Sequence, residues 1–167
     1  MDAGGQLEEA VATCLGRLSV AYEVIEIDPE FADTASFCER YGFPLDRSAN
    51  TILVASKRGE KRYAACVALA TTRVDVNHAV RNLMGVKRLS FAGAEETKEV
   101  TGMELGGVTA FALPADVPLY IDRRVMAPDW IILGGGGRRT KIKTSPDALR
   151  LLPNAQIVEG LAFEPEG

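Results

Sequence analysis

Histidine and cysteine are scarce in this 167-residue chain, which has one His, His78, and three Cys: Cys14, Cys38 and Cys66. With a single histidine and no CxxC pair, a zinc site would need an unusual ligand set. Three widely spaced cysteines do not make a disulfide framework. No apolar run approaches the roughly 20 residues that span a bilayer. Met1 to Gln6 has neither the basic start nor the apolar stretch of a secretory signal. A cytoplasmic protein is therefore expected, with no membrane partner. The formal charge of −4, from 19 Lys and Arg against 23 Asp and Glu, argues against a protein that coats duplex DNA. A local basic patch stays compatible with it. No internal repeat, linker or low-complexity stretch divides the chain, so one domain over 1–167 is expected.

Hydrophobic spacing then gives the elements. Leu7, Ala10, Val11, Cys14, Leu15 and Leu18 recur at helical spacing and predict a helix from Gln6 to Leu18. Val20 to Ile27 alternates like a strand and stops at Asp28-Pro29. A short helix is predicted from Thr34 to Arg40, ended by Gly42. Thr51 to Ala55 and Tyr63 to Leu69 read as a hairpin around Lys57-Arg58-Gly59-Glu60. Asp75 is a candidate N-cap for a helix closed by Gly85. Further strands are predicted at Val86 to Ala92, Leu119 to Ile121, Trp130 to Leu133 and Thr140 to Thr144. A helix is predicted from Ala94 to Thr101, and Ser145-Pro146-Asp147 starts another. Gly102 to Pro118 reads as a loop with substructure.

Few residues carry obvious chemistry. Cys14 lies on an apolar helix stripe and Cys66 inside an apolar strand, which is the pattern of packing thiols rather than nucleophiles. His78 sits on a helix face, and no nucleophile elbow is present. The run Gly134 to Gly137 fits neither the P-loop nor the dinucleotide pattern, because strand-like residues follow it. Two readings of that run stay open: a turn between strands, or a loop whose backbone N–H groups approach a ligand. Arg138, Arg139, Lys141 and Lys143 form the densest basic cluster, either a solvated face or a phosphate contact. Asp122 ends an apolar strand, where a carboxylate caps amides or orients a basic residue.

In order along the chain, several segments form a specific set. They are Ala49-Asn50-Thr51-Ile52-Leu53-Val54, Arg73-Val74-Asp75, Gly85-Val86-Lys87-Arg88-Leu89, Thr101-Gly102-Met103-Glu104-Leu105-Gly106-Gly107-Val108, Ile121-Asp122 and Gly134-Gly135-Gly136. With these, the sequence resembles the YbaK-type aminoacyl-tRNA deacylases, relatives of the editing insertion of prolyl-tRNA synthetase, from about residue 6 to residue 160. The resemblance implies an α/β fold with a mixed central sheet or barrel surrounded by helices. It implies hydrolysis of a mischarged aminoacyl-tRNA ester, commonly a small amino acid on the tRNA for proline, with no cofactor. An aminoacyl-tRNA synthetase is then a candidate partner.

On that resemblance Asn50, Gly106 and Gly107 are the expected catalytic groups. Thr34, Gly102, Asp122, Gly134 and Gly135 would contact the substrate, and Arg138, Arg139 and Lys141 would contact tRNA phosphates. The family's usual lysine before the Thr-Ile-Leu-Val strand is Asn50 here, an amide in place of an ammonium. Losing such an electrostatic stabiliser typically costs about 10²–10³ in rate. Lys57 and Lys61 lie six or more residues along the strands, roughly 20 Å away, too far to replace it. The proline that often follows the double glycine is absent, and Val108 stands there. The sequence thus supports two readings: a deacylase, and a module that kept the pocket for binding a tRNA end, nucleotide or protein but lost hydrolysis.

Overall fold

A computed structural model describes residues 3–57 and 59–165. Met1, Asp2 and Arg58 of the expected hairpin turn lie outside the described residues. The helix α1 (Ala3–Leu18) turns the stripe carrying Val11 and Leu15 fully into the interior. Its neighbour in sequence, β1 (Tyr22–Glu26), leads through a short 3-10 turn into α2 (Thr34–Tyr41). Gly42 ends α2 in the left-handed conformation.

The central hairpin is β2 (Ala49–Ser56) and β3 (Tyr63–Leu69), antiparallel in a register that sets Asn50 opposite Ala68. After β4 (Arg73–Val74), Asp75 caps the next turn by accepting from the His78 backbone N–H at 3.2 Å. That segment is a π-turn over Val76–Val80 that tightens into α3 (Arg81–Met84). The strand β5 (Leu89–Phe91), the helix α4 (Ala94–Thr101) and the strands β6 (Leu119–Asp122), β7 (Ile131–Gly134) and β8 (Thr140–Thr144) follow. The chain closes with α5 (Asp147–Arg150), β9 (Ala155–Val158) and β10 (Ala162–Phe163).

Five strands form the main sheet in the order β5-β2-β3-β6-β9, with β3-β6 and β6-β9 parallel and the rest antiparallel. A second sheet, β1-β8-β7, is antiparallel throughout and touches the first at the Ser48–Ile132 bridge. The mixed sheet with surrounding helices is the architecture expected from the sequence. Three short strands were not expected there. β4 and β10 are only two residues each, and β9 has no buried apolar face, so none carries a periodicity to read.

Strand alternation divides the interior in two. Ala49, Leu53, Ala65, Val67 and Leu69 face α1 and the second sheet. Val54, Ala64, Cys66 and Ala68 face Val76, Val80 and Met84. The alanines of β3 suit a strand packed on both faces, where bulkier side chains would hold the layers apart. Among the described residues no helix is long and apolar enough to cross a membrane.

Cys66 lies in this second cluster, fully buried, and burial pushes its thiol up to about 12. A thiol held protonated and inaccessible is a packing group. Maleimide labelling at pH 7.5 should therefore leave Cys66 unmodified until urea unfolds the chain, while half-buried Cys14 reacts in the native state. Native labelling of Cys66 at the rate of a free thiol would contradict this packing.

Candidate functional site

The start of β2 is where the two sheets converge, and a cavity of about 180 Å³ opens there. Its walls come from the first turn of α2, from β2 between Ser48 and Ile52, from β7, from Lys141 of β8 and from the Leu105–Gly106 loop. Phe37, Ile132 and Leu133 supply apolar walls. The cavity is small because Phe37 and Ile132 belong to a tightly packed third cluster, with Phe37 stacked on Phe43 at 5.2 Å.

Polar groups gather at one end. The N-cap position of α2 falls on Asp33 rather than Thr34, so the Thr34 hydroxyl is not needed to cap the helix. It donates instead to Asn50 Oδ1. An amide whose oxygen is engaged offers its two Nδ2 protons to whatever enters the cavity. Thr34 and Asn50, 16 positions apart in sequence, are thus brought together as expected.

The same cavity is lined by Lys141, a residue expected from the sequence on a phosphate-binding surface. The structure buries it, leaving 5% exposed. β8 alternates, sending Ile142 into the main core and Lys141 toward α2. The Lys141 ammonium donates to the Ala32 carbonyl at 2.5 Å and to the Gly106 carbonyl at 2.9 Å, and lies 5.5 Å from the centre of the Phe37 ring. Burial brings its pKa down to about 8, with Asp33 opposing the shift and Arg138 adding to it. The alternation in Thr140-Lys141-Ile142-Lys143-Thr144 puts Ile142 and the lysines on opposite faces but does not say that the lysine face is covered.

The other expected residues divide. Gly106 lines the cavity with φ +90°. Gly107 does not offer a free amide, because its N–H donates to Glu104 O at 2.9 Å. Its value is closeness: a Cβ on Gly107 would sit 2.6 Å from Gly137 O, and one on Gly134 2.5 Å from Val108 O. The two glycine segments are packed backbone against backbone, joined by the Gly136 N–H donating to Gly107 O at 2.8 Å. Gly134 lines the cavity, and Gly135 packs on Thr140. Gly102 caps the end of α4 beside Leu7, away from the cavity.

Asp122 is also elsewhere. It is wholly buried at the far end of β6, where Oδ1 accepts from the Ala162 N–H at 3.2 Å and Arg124 lies 3.8 Å from Oδ2. The carboxylate ties β10 to the end of β6, away from the cavity walls. Arg138 is a strut as well: its guanidinium donates to Leu105 O and to Pro29 O (3.0 Å) and lies 3.6 Å from Asp33. Of the three residues expected on tRNA phosphates, Arg139 alone is exposed. Lys61, at the hairpin tip, pairs with Glu96 at 3.0 Å.

Comparison with known proteins agrees with this geometry. The family model of the aminoacyl-tRNA editing domain matches residues 28–152, which carry every wall of the cavity. The chain belongs to the aminoacyl-tRNA editing domain family. Among curated proteins it is similar to the uncharacterized protein YwhH of Bacillus subtilis (strain 168), 29% identical over 76% of this chain and 78% of that one. Two solved structures share the fold. The hypothetical protein APE2540 matches with TM-score 0.81 at 22% identity, covering 92% of this chain and 99% of that one. A candidate trans-editing enzyme for prolyl tRNA synthetase matches with TM-score 0.77 at 20% identity, covering 95% and 96%. In this editing domain the cavity thus pairs an amide–hydroxyl couple with a buried lysine.

The lysine predicts a signature in stability. Between about pH 8 and the ordinary lysine pKa near 10.5, native Lys141 gives up its proton while the unfolded chain keeps it. More protons are then bound by the unfolded state, so stability rises with pH over that window; below pH 8 the cost of burying the charge is present in full. Urea melts of wild type and Lys141→Met should therefore diverge in favour of wild type as pH rises from 7.5 to 10. Parallel pH dependences would mean that Lys141 titrates like a solvated lysine.

Proposed function

We propose that this editing domain is a trans-acting aminoacyl-tRNA deacylase, hydrolysing the ester between a small amino acid and the terminal ribose of a tRNA. One observation carries the reading: the Thr34–Asn50 couple, a buried cation and the Gly106 loop line one cavity of about 180 Å³. That volume suits a small side chain. The ester carbonyl would lie at the polar end, within reach of the Asn50 Nδ2 donors.

Water, positioned with the help of the neighbouring ribose hydroxyl, adds to the carbonyl carbon and loses a proton, and negative charge develops on the carbonyl oxygen. Asn50 donates to that oxygen, and the positive potential of Lys141 favours the charge in a site shielded from solvent. Collapse of the adduct breaks the ester C–O bond. The ribose oxygen takes up a proton, and the free amino acid leaves. The ester is labile already, so holding it against these groups supplies most of what catalysis needs. Arg139, the exposed residue of the turn before β8, would meet acceptor-stem phosphates.

A second reading, a module that binds a tRNA end without hydrolysing it, is favoured by the amide at position 50, where the family resemblance implies a lysine. Substitution at Asn50 separates the two. Asn50→Lys should raise initial deacylation of at least one small aminoacyl-tRNA by about tenfold or more, and Asn50→Ala should lower native activity by about tenfold or more. Thermal melts confirm that each variant is folded. A folded Asn50→Ala as fast as wild type would remove Asn50 from the chemistry.

A further inference from the structure

Asn50 and Ile52 belong to two hollows at once. On one side they close the small cavity, and on the other they end an open cleft of about 660 Å³. The cleft runs between β4 with the π-turn after it and the edge strand β5. Two phenylalanines stand on its rim, Phe91 53% exposed and Phe163 47% exposed. Phe163 is on β10, paired across from Arg73 of β4. Arg73 is exposed and makes no ion pair among the described residues. Asp75 and His78 hold each other at 3.1 Å farther along the wall.

An aminoacyl-tRNA ester is a two-sided substrate. The amino acid and the terminal nucleoside diverge from one carbonyl carbon, so a site that receives the ester at Asn50 needs room on both sides of it. The cavity of about 180 Å³ holds the amino-acid side alone. The larger cleft opens from the same two residues, and its rim offers what a nucleobase binds: exposed aromatic faces for stacking and an unpaired guanidinium for a phosphate.

We infer that the Phe91–Phe163 cleft is the subsite for the 3′-terminal adenosine of the tRNA, with the base stacked on the rings and Arg73 at the phosphate before it. The inference rests on the deacylase reading for the identity of its ligand. It assigns substrate length to a different surface from the one that selects the amino acid. Phe91 and Phe163 would then act mainly on binding, and Asn50 on the chemical step.

The test uses tRNA with 2-aminopurine in place of the terminal adenine, whose fluorescence falls when it stacks. Wild type should quench it on binding. The double variant Phe91→Ala/Phe163→Ala should lose the quench and raise KM for aminoacyl-tRNA at least about tenfold, with kcat within a few-fold. The Phe91→Tyr/Phe163→Tyr pair, which keeps the rings, should retain both. Both side chains are half exposed, so the variants should melt with wild type. Wild type that does not quench, or a double alanine variant that quenches and keeps its KM, would overturn the subsite. Self-association lost in the alanine variant, with quenching unchanged, would also overturn it and give the rim to a second copy of the chain. The two readings fail separately. Quenching that needs the two rings, in a protein that releases no amino acid, leaves the subsite standing and removes the hydrolase. Hydrolysis with an unmoved KM does the reverse.

Discussion

The ammonium of Lys141 joins the chain just before α2 to the glycine loop, through the carbonyls of Ala32 and Gly106. These segments lie more than 70 positions apart in sequence and share no strand ladder. Arg138 repeats the device one turn earlier on the same hairpin, reaching Pro29 O and Leu105 O. Two cations from the β7–β8 hairpin thus hold the polar walls of the cavity against the end of β2. A cation in such a place costs desolvation, and each carbonyl hydrogen bond offsets part of it. The remaining imbalance appears as the lowered pKa of Lys141.

The same constraint explains the glycines. For both cations to reach the Leu105–Gly106 loop, that loop must lie directly on the Gly134–Gly137 segment. Any Cβ at Gly107 or Gly134 would fall within 2.6 Å of the opposing backbone. The glycines therefore serve chain-to-chain contact, with Gly106 alone both lining the cavity and accepting from the lysine. The Gly107 N–H donates to Glu104 O, so that amide serves the loop's own turn.

Much of this could be read from the sequence. The stripe of α1, the β2–β3 hairpin and the glycine ends of α2, α3 and α4 carry local signals that tertiary packing does not override. Thr34 and Asn50 were expected at one site and meet there. What could not be read was direction. A run of basic residues looks the same whether its side chains point to solvent or inward, and only the register of β8 between β1 and β7 decides it for Lys141. Asp122 shows the same limit: its contact with Ala162 depends on β10, which has no periodicity of its own.

A cation that ties two walls together and, in the proposed reaction, lowers the energy of negative charge beside them would suit ester hydrolysis with small substrates. The most direct measurement is the initial rate of amino-acid release from a panel of matched tRNAs, each charged with a single amino acid, with and without the wild-type protein at pH 7.5. The account predicts that at least one small aminoacyl-tRNA is hydrolysed well above its spontaneous rate, while those with bulky side chains stay at background. Background release for every member of the panel, from protein that melts cooperatively and binds tRNA, would contradict it.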